Sequence, residues 1–266
     1  MECLIQAMKP KLITYDIDGT LVPEYGDCVP AENREAILRA KRAGCMICPS
    51  SGRTHSNLRK LLGDLVEDTC SVTMNGGAIY GPHDEPLHFR FIENDLAEEL
   101  FARQKEVGGN CPVIFCRDSM YLHASDAAAA QRLMEIHKGS VRLISSLRDV
   151  TEPIIKISSF CPDASALYPA LAEGFSDPVR TAVAGREWID YTVSDKGTGL
   201  ADLCEITGIS PAETAAIGDN FNDEPMLDFA AMPVLMDTAD PLLLQKFPLH
   251  CSTFAEAIDR ILSQPE

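Results

Sequence analysis

Positive charge is what this chain has least of: its 266 residues carry 23 Lys and Arg against 40 Asp and Glu, a formal net charge of −17. A field of that sign repels phosphate backbones, which excludes a nucleic-acid partner. Long apolar runs are missing as well. No uncharged stretch approaches the length that crosses a bilayer, so no membrane association is expected. Met1 to Pro10 holds no apolar core of signal-peptide length, and the expected location is cytoplasmic. The 6 histidines are scattered and form no pair at metal-ligand spacing. Low-complexity linkers and internal repeats are absent, and nothing implies a protein partner. The 10 cysteines sit inside apolar runs rather than at framework spacings. Cys45 and Cys48 form a C-x-x-C, but residues i and i+3 of a strand point to opposite faces. No second such pair completes a zinc site, so the thiols read as reduced and buried in the core.

What is present is an ordinary globular composition, 45% hydrophobic and 24% charged, at a length that fits one large domain or two modest ones. The stretch Leu12 to Leu21 organises the rest. A short β-rich run, Leu12 to Tyr15, delivers Asp16 and Asp18, and Gly19 breaks it immediately afterwards. In an extended chain i and i+2 face the same way, at the strand end where open α/β sheets place their ligands. Two carboxylates that close repel each other, and a divalent cation is the usual remedy. The same residues also make a plain polar turn, and their spacing leaves both readings open.

Downstream, Pro30 leads into a helix that stops at Ala43-Gly44, and Cys45 to Pro49 reads as a second buried strand. A strand–helix–strand unit of this length implies a right-handed parallel crossover. Ser51-Gly52-Arg53 ends that strand, and Ser71 to Met74 is a third, closed by Asn75-Gly76-Gly77. Around Gly81-Pro82 the rhythm changes. Up to about Val183 strands and helices follow in another order, with an Ala-rich helix from Asp126, its expected cap, to Lys138. Lys156, in the apolar strand Ile154 to Phe160, reads as structural or snorkelling. The earlier pattern resumes near Trp188, with a helix from Lys196, a strand Thr214 to Ile217 ending in Gly218-Asp219, and a closing helix Phe254 to Leu262. The expected fold is α/β: a Rossmann-like parallel sheet core from residues 1–81 and 187–266, with an α/β domain inserted at 82–186.

Asp16-Ile17-Asp18-Gly19-Thr20-Leu21 resembles the first motif of the haloacid dehalogenase-like hydrolases, the aspartate-nucleophile phosphatases. Ser51-Gly52-Arg53, Lys196-Gly197 and Gly218-Asp219-Asn220-Phe221-Asn222-Asp223 match its three further motifs in the family's order. The Asn75-Gly76 pair brings the chain nearest to the Cof-type sugar-phosphatase branch. The resemblance implies that Asp16 is the nucleophile and that Asp18 carries protons to the leaving alcohol and from water. It implies Mg2+ held by the Asp16 carboxylate, the Asp18 backbone carbonyl and Asp219, with Asp223 holding metal-bound water and Asn222 bracing that loop. Ser51 would donate to a phosphoryl oxygen, and Lys196 would shield Asp16 from its anionic substrate. Gly52, Arg53, Asn75 and Asn222 are expected with them on the substrate side, and the inserted domain is expected to be the family's cap. The implied partner is a small phosphate ester, a sugar phosphate foremost. The alternatives are a phosphomutase on the same framework and a low-turnover phosphosugar-binding regulator. One departure stands out: Asp237-Thr238 replaces the family's Gly-Asn, which leaves the substrate open.

Overall fold

A computed structural model of the chain describes residues 10–23, 26–123, 127–137 and 141–264. It divides into two units, Met1–His88 with Asp195–Glu266, and Phe89–Ser194. The first unit begins with β1 (Leu12–Tyr15), α1 (Ala31–Arg42), β2 (Met46–Pro49), α2 (His55–Leu62), β3 (Ser71–Thr73), β4 (Ala78–Tyr80) and β5 (Pro86–Phe89). The second contributes α3 (Asn94–Val107), β6 (Cys111–Cys116), β7 (Met120–His123), α4 (Ala127–His137) and β8 (Val141–Ile144). It continues with β9 (Ile154–Phe160), α5 (Ala164–Ala172), β10 (Arg180–Val183) and β11 (Trp188–Thr192). The first unit then resumes with α6 (Lys196–Thr207), β12 (Thr214–Gly218), α7 (Glu224–Phe229), β13 (Met232–Met236), α8 (Pro241–Lys246), β14 (His250–Cys251) and α9 (Phe254–Leu262).

In the first unit β14-β13-β12-β1-β2 form one parallel sheet with β1 fully buried inside it. Burial on both faces explains why Leu12 to Tyr15 shows no polar alternation. Ile13 and Tyr15 pack on one side with Ile37 of α1 and with Phe254, Ile258 and Ile261 of α9. Leu12 packs on the other with Leu200 and Leu203 of α6 and with Met226 and Leu227 of α7. Cys45 belongs to the first of these cores and Cys48 to the second, as strand spacing demands. The described cysteines are all free, and all but Cys28 are buried.

Two expectations shift here. Asn75 and Gly76 reverse the chain, so β3 pairs antiparallel with β4 in a small sheet β3-β4-β5. A lone parallel bridge, Ser50 to Val72, ties it to the end of β2. Trp188–Thr192 does not return to the parallel sheet; it pairs antiparallel with β9 and β10 in the second unit. The divisions therefore fall after His88 and Ser194, later than the 81/82 and 186/187 read from the sequence.

The second unit is a six-stranded sheet, β10-β11-β9-β6-β7-β8, in which only β7 and β8 run parallel. Lys156 does not snorkel. Its Nζ is buried, 2.9 Å from Asp190 Oδ2 and 4.6 Å from the centre of the Phe115 ring, and Ser158 donates to the other oxygen of Asp190 at 2.6 Å. Removing one member of such a pair leaves an unpaired buried charge, a loss typically of about 3–5 kcal/mol. The expected Asp126 cap lies outside the described residues. Among the described residues no helix is long and apolar enough to cross a membrane.

Candidate active site

β1 and β12 are neighbours in register, Tyr15 opposite Ile217, and the Asp16 amide donates to Ile217 O at 2.9 Å. Their C-terminal ends therefore bring Asp16 and Asp219 together. Asp16, Asp219 and Asp223 each present a carboxylate oxygen within 4.8 Å of the others. Lys196, the first residue of α6, is fully buried and donates to Asp16 Oδ1 and, at 2.5 Å, to Asp223 Oδ1. The other Asp223 oxygen accepts from the backbone amides of Asp219 (2.9 Å) and Asn220 (3.0 Å). Asn220 Oδ1 in turn accepts from the Phe221 amide at 2.7 Å. This loop is thus braced by Asp223 and Asn220, whereas Asn222, half-buried, makes no side-chain hydrogen bond with the described residues. Thr20 was not singled out in the sequence, although it stands in the first motif; its hydroxyl donates to Asp219 Oδ1 at 2.5 Å. Gly19, at φ +93, lies so close that a Cβ there would sit 2.4 Å from Asp219 Oδ2.

Asp18 is not in this cluster. The extended run ends at Tyr15, so the same-face rule for i and i+2 no longer applies beyond it. Its carboxylate turns to Arg53, which grips it through Nε at 2.9 Å and Nη2 at 2.6 Å. Ser51 is buried at the end of β2, its Oγ accepting from the Arg53 amide at 3.2 Å with no acceptor among the described residues for its own proton. The Ser51 and Asn75 backbones are joined by Asn75 N to Ser51 O at 3.0 Å, and Met74 N donates to Arg53 O at 3.0 Å. Gly52 lies against the Asn75 side chain, where a Cβ would stand 3.1 Å from Oδ1. Ser51, Gly52, Arg53 and Asn75 therefore form one zipped loop pair, and Asp16, Lys196, Asp219 and Asp223 a second group.

The sequence profile of the haloacid dehalogenase-like hydrolases matches residues 13–256. The chain belongs to this family. Similar curated proteins include 5-amino-6-(5-phospho-D-ribitylamino)uracil phosphatase of Bacillus subtilis, 28% identical, the match covering 89% of this chain and 91% of that protein. The HMP-PP phosphatase of Cronobacter sakazakii is 26% identical, with 93% of each chain covered. A solved haloacid dehalogenase-like hydrolase from Bacteroides thetaiotaomicron has the same fold, with a TM-score of 0.78 at 24% identity over 95% of this chain and 100% of that one.

In this haloacid dehalogenase-like enzyme three acids face one ammonium. Burial pushes Asp16 up to about 8; Lys196 pulls the other way, and Asp223 and Asp219 add to the rise. Burial and Asp223 push Asp219 up to about 6. Burial disfavours the Lys196 ammonium, but Asp16 and Asp223 outweigh it and hold its pKa above the usual value. An acid that holds its proton more tightly when folded loses stability as pH rises, because the unfolded chain has already ionised near pH ~4. The metal-free protein is therefore expected to lose thermal stability as pH rises from about 4, with the loss complete above the Asp16 value of about 8. Thermal melts in chelator across that range check this; melting temperatures that climb through the window would contradict it.

The donor set fits a hard divalent cation. Asp16 Oδ2 and Asp219 Oδ2 accept no hydrogen bond from the described residues, whereas both Asp223 oxygens are engaged. Among the described residues Lys196 opposes Asp16 and Asp223, and Arg53 opposes Asp18; with Asp219 and all four acids ionised, two negative charges are left over, which one such cation would neutralise.

Proposed function

We propose that the chain is a magnesium-dependent phosphatase of small phosphate monoesters, sugar phosphates foremost, that works through a phosphorylated Asp16. The observation that carries this reading is Lys196, buried and locked between Asp16 and Asp223 at adjacent parallel strand ends, with Asp219 in reach. Phosphoryl transfer asks a protein for positioning and charge neutralisation above all, and this arrangement supplies both. Asp16 attacks phosphorus in line, which divides one hard displacement into two easier ones. Lys196 favours the ionised form of Asp16 against the burial that opposes it, and lowers its repulsion from the incoming phosphate. The Ser51 hydroxyl, its proton uncommitted, donates to a phosphoryl oxygen, and the Gly52, Arg53 and Asn75 loops wall that side of the phosphate.

Asp18 takes the proton of the hydrolytic water and protonates the leaving alcohol. Both of its carboxyl oxygens accept from Arg53. Delivering a proton requires that clasp to open first. Magnesium would be held by the free oxygens of Asp16 and Asp219 and by the Asp18 backbone carbonyl, with Asp223 behind them, and would supply charge stabilisation at the phosphoryl oxygens. The second unit, inserted between β5 and α6, takes the part of the family's cap. The Bacillus relative, named for a phosphate on a ribityl group, supports a polyol or sugar phosphate as substrate.

A panel of phosphate esters, assayed with magnesium and with excess chelator, tests the reading. At least one sugar phosphate should release inorganic phosphate rather than isomerise, and chelator should stop it. Asp219→Ala should raise the magnesium concentration needed for half-maximal activity by at least about tenfold, the scale of losing a metal-site group. Turnover unchanged in excess chelator would sink the metal assignment.

A further inference from the structure

Lys196 reaches two carboxylates from the first residue of a helix, so the placement of that helix end fixes the site. Asp195 caps α6, its Oδ1 accepting from the Thr198 amide at 2.7 Å and the Thr198 hydroxyl at 2.9 Å. Beside it, the turn between β3 and β4 runs through three successive left-handed residues, Met74 (φ +52), Asn75 (+53) and Gly76 (+87). A Cβ on Gly76 would stand 2.0 Å from Asp195 O. One on Gly199 would stand 2.6 Å from Val72 Cγ1 and 2.8 Å from Gly76 Cα. On another side of the same helical turn, a Cβ on Gly197 would stand 2.5 Å from Pro225 O in α7. Most of these obstacles are backbone atoms, which cannot rotate away. Two glycines in the first four residues of a helix weaken it by about 0.5–1 kcal/mol each relative to alanine. Close backbone approach is what they provide in return.

We propose that the Asn75-Gly76 turn and the start of α7 form a seat for α6, and that Gly76, Gly197 and Gly199 are positioning residues that set the reach of Lys196. The proposal rests on the catalytic reading of Lys196 given above. A methyl group at 199 has to lift the helix start off the turn or displace the turn itself. Lifting the helix start draws the ammonium away from Asp16 and Asp223 together. The Asn-Gly pair thereby acts on the catalytic lysine through the backbone, whatever the Asn75 side chain contacts.

The test compares Gly199→Ala with Gly208→Ala in the full chain. Gly208 ends the same helix at φ +70 with nothing within 4 Å of its missing Cβ, so alanine there strains α6 without touching the seat. Both variants should melt earlier than the parent, and only Gly199→Ala should lose kcat. The loss should be about 10–100-fold, the scale of an ångström's misplacement at a catalytic group. It should be the same for alkyl and aryl esters, because Lys196 acts on the shared nucleophile. Adding Val72→Ala to Gly199→Ala removes the nearest obstructing atom and should restore part of kcat, although Val72→Ala alone empties core volume. Amine-directed reductive methylation read by mass spectrometry supplies a second readout in the metal-free protein. Lys196 should be protected in the parent and in Gly208→Ala and modified in Gly199→Ala. Unchanged kcat per folded molecule in Gly199→Ala, with Lys196 still protected, overturns the proposal. If Lys196→Met keeps the parent's turnover, the catalytic reading fails instead, and the methylation result alone decides whether the seat exists.

Discussion

Asp16→Asn is expected to abolish turnover with every phosphate ester and yet leave the metal-free protein at least as stable as the parent at pH 8. The first half follows from the proposed covalent step, since an amide cannot attack phosphorus. Losing a covalent nucleophile costs hydrolases on the order of 10⁶-fold in kcat. The second half follows from the charge balance. Asn keeps a carbonyl oxygen where Lys196 now donates, but it removes a buried carboxylate that burial and two neighbouring acids destabilise. Steady-state assays on alkyl and aryl esters, paired with thermal melts in chelator, check both halves. Residual turnover within tenfold of the parent would refute the nucleophile; a large drop in melting temperature would refute the electrostatic account.

Asp18→Asn should lower kcat on alkyl esters by about 10²–10⁴-fold, the usual worth of a positioned acid–base group. The amide still offers Arg53 one acceptor in place of the two oxygens it grips now, so the loop should hold. An aryl phosphate leaves without much protonation, so its phosphorylation step should survive far better than that of an alkyl ester. Attack of water on the phosphorylated Asp16 still needs a base, so the second step slows for both. Rapid-quench measurement of the first turnover separates these steps. Equal losses on aryl and alkyl esters in that first turnover would contradict the role given to Asp18.

Much of the architecture was legible because its cause is local. Leu12 to Tyr15 and Thr214 to Gly218 are buried strands followed by acids, and such strands announce themselves by mostly apolar runs with no charged residue. Helix ends were legible where a residue does a specific job, as Pro30 does before α1 and Gly44, left-handed at φ +86, does just past its end. Partner choice was not legible. Trp188–Thr192 reads equally well as a strand of either sheet, and only its pairing with β9 and β10 places it in the second unit. Ser71 to Met74 is legible as a strand closed by Asn75-Gly76-Gly77, but the antiparallel partner Ala78–Tyr80 beyond that turn is not.

The site divides in the same way. The residue types of the acidic cluster and its lysine could be named from motifs, because each motif lies at a strand end or helix start. Their mutual contacts could not, because they span the chain: Lys196 lies 180 residues from Asp16, and Thr20 lies 199 from Asp219. Asp18 was expected beside Asp16 from a strand rule that stops applying where the strand stops. Lys156 and Asp190 are 34 residues apart on different strands, and their pairing depends on strand register that no local pattern encodes. Asp237, which replaces a family residue, is half-exposed with His250 Nδ1 3.2 Å away, and nothing in that contact explains the replacement.

The central claim is that Asp16 carries the phosphoryl group, and one measurement addresses it directly. Asp18→Asn protein is mixed with magnesium and an aryl phosphate, quenched in acid, digested and analysed by peptide mass spectrometry. The account predicts one added phosphoryl group on the peptide that contains Asp16, and none when Asp16→Asn is combined with Asp18→Asn. A phosphoryl group on any other residue, or no phosphorylated peptide while phosphate is still released, would contradict it.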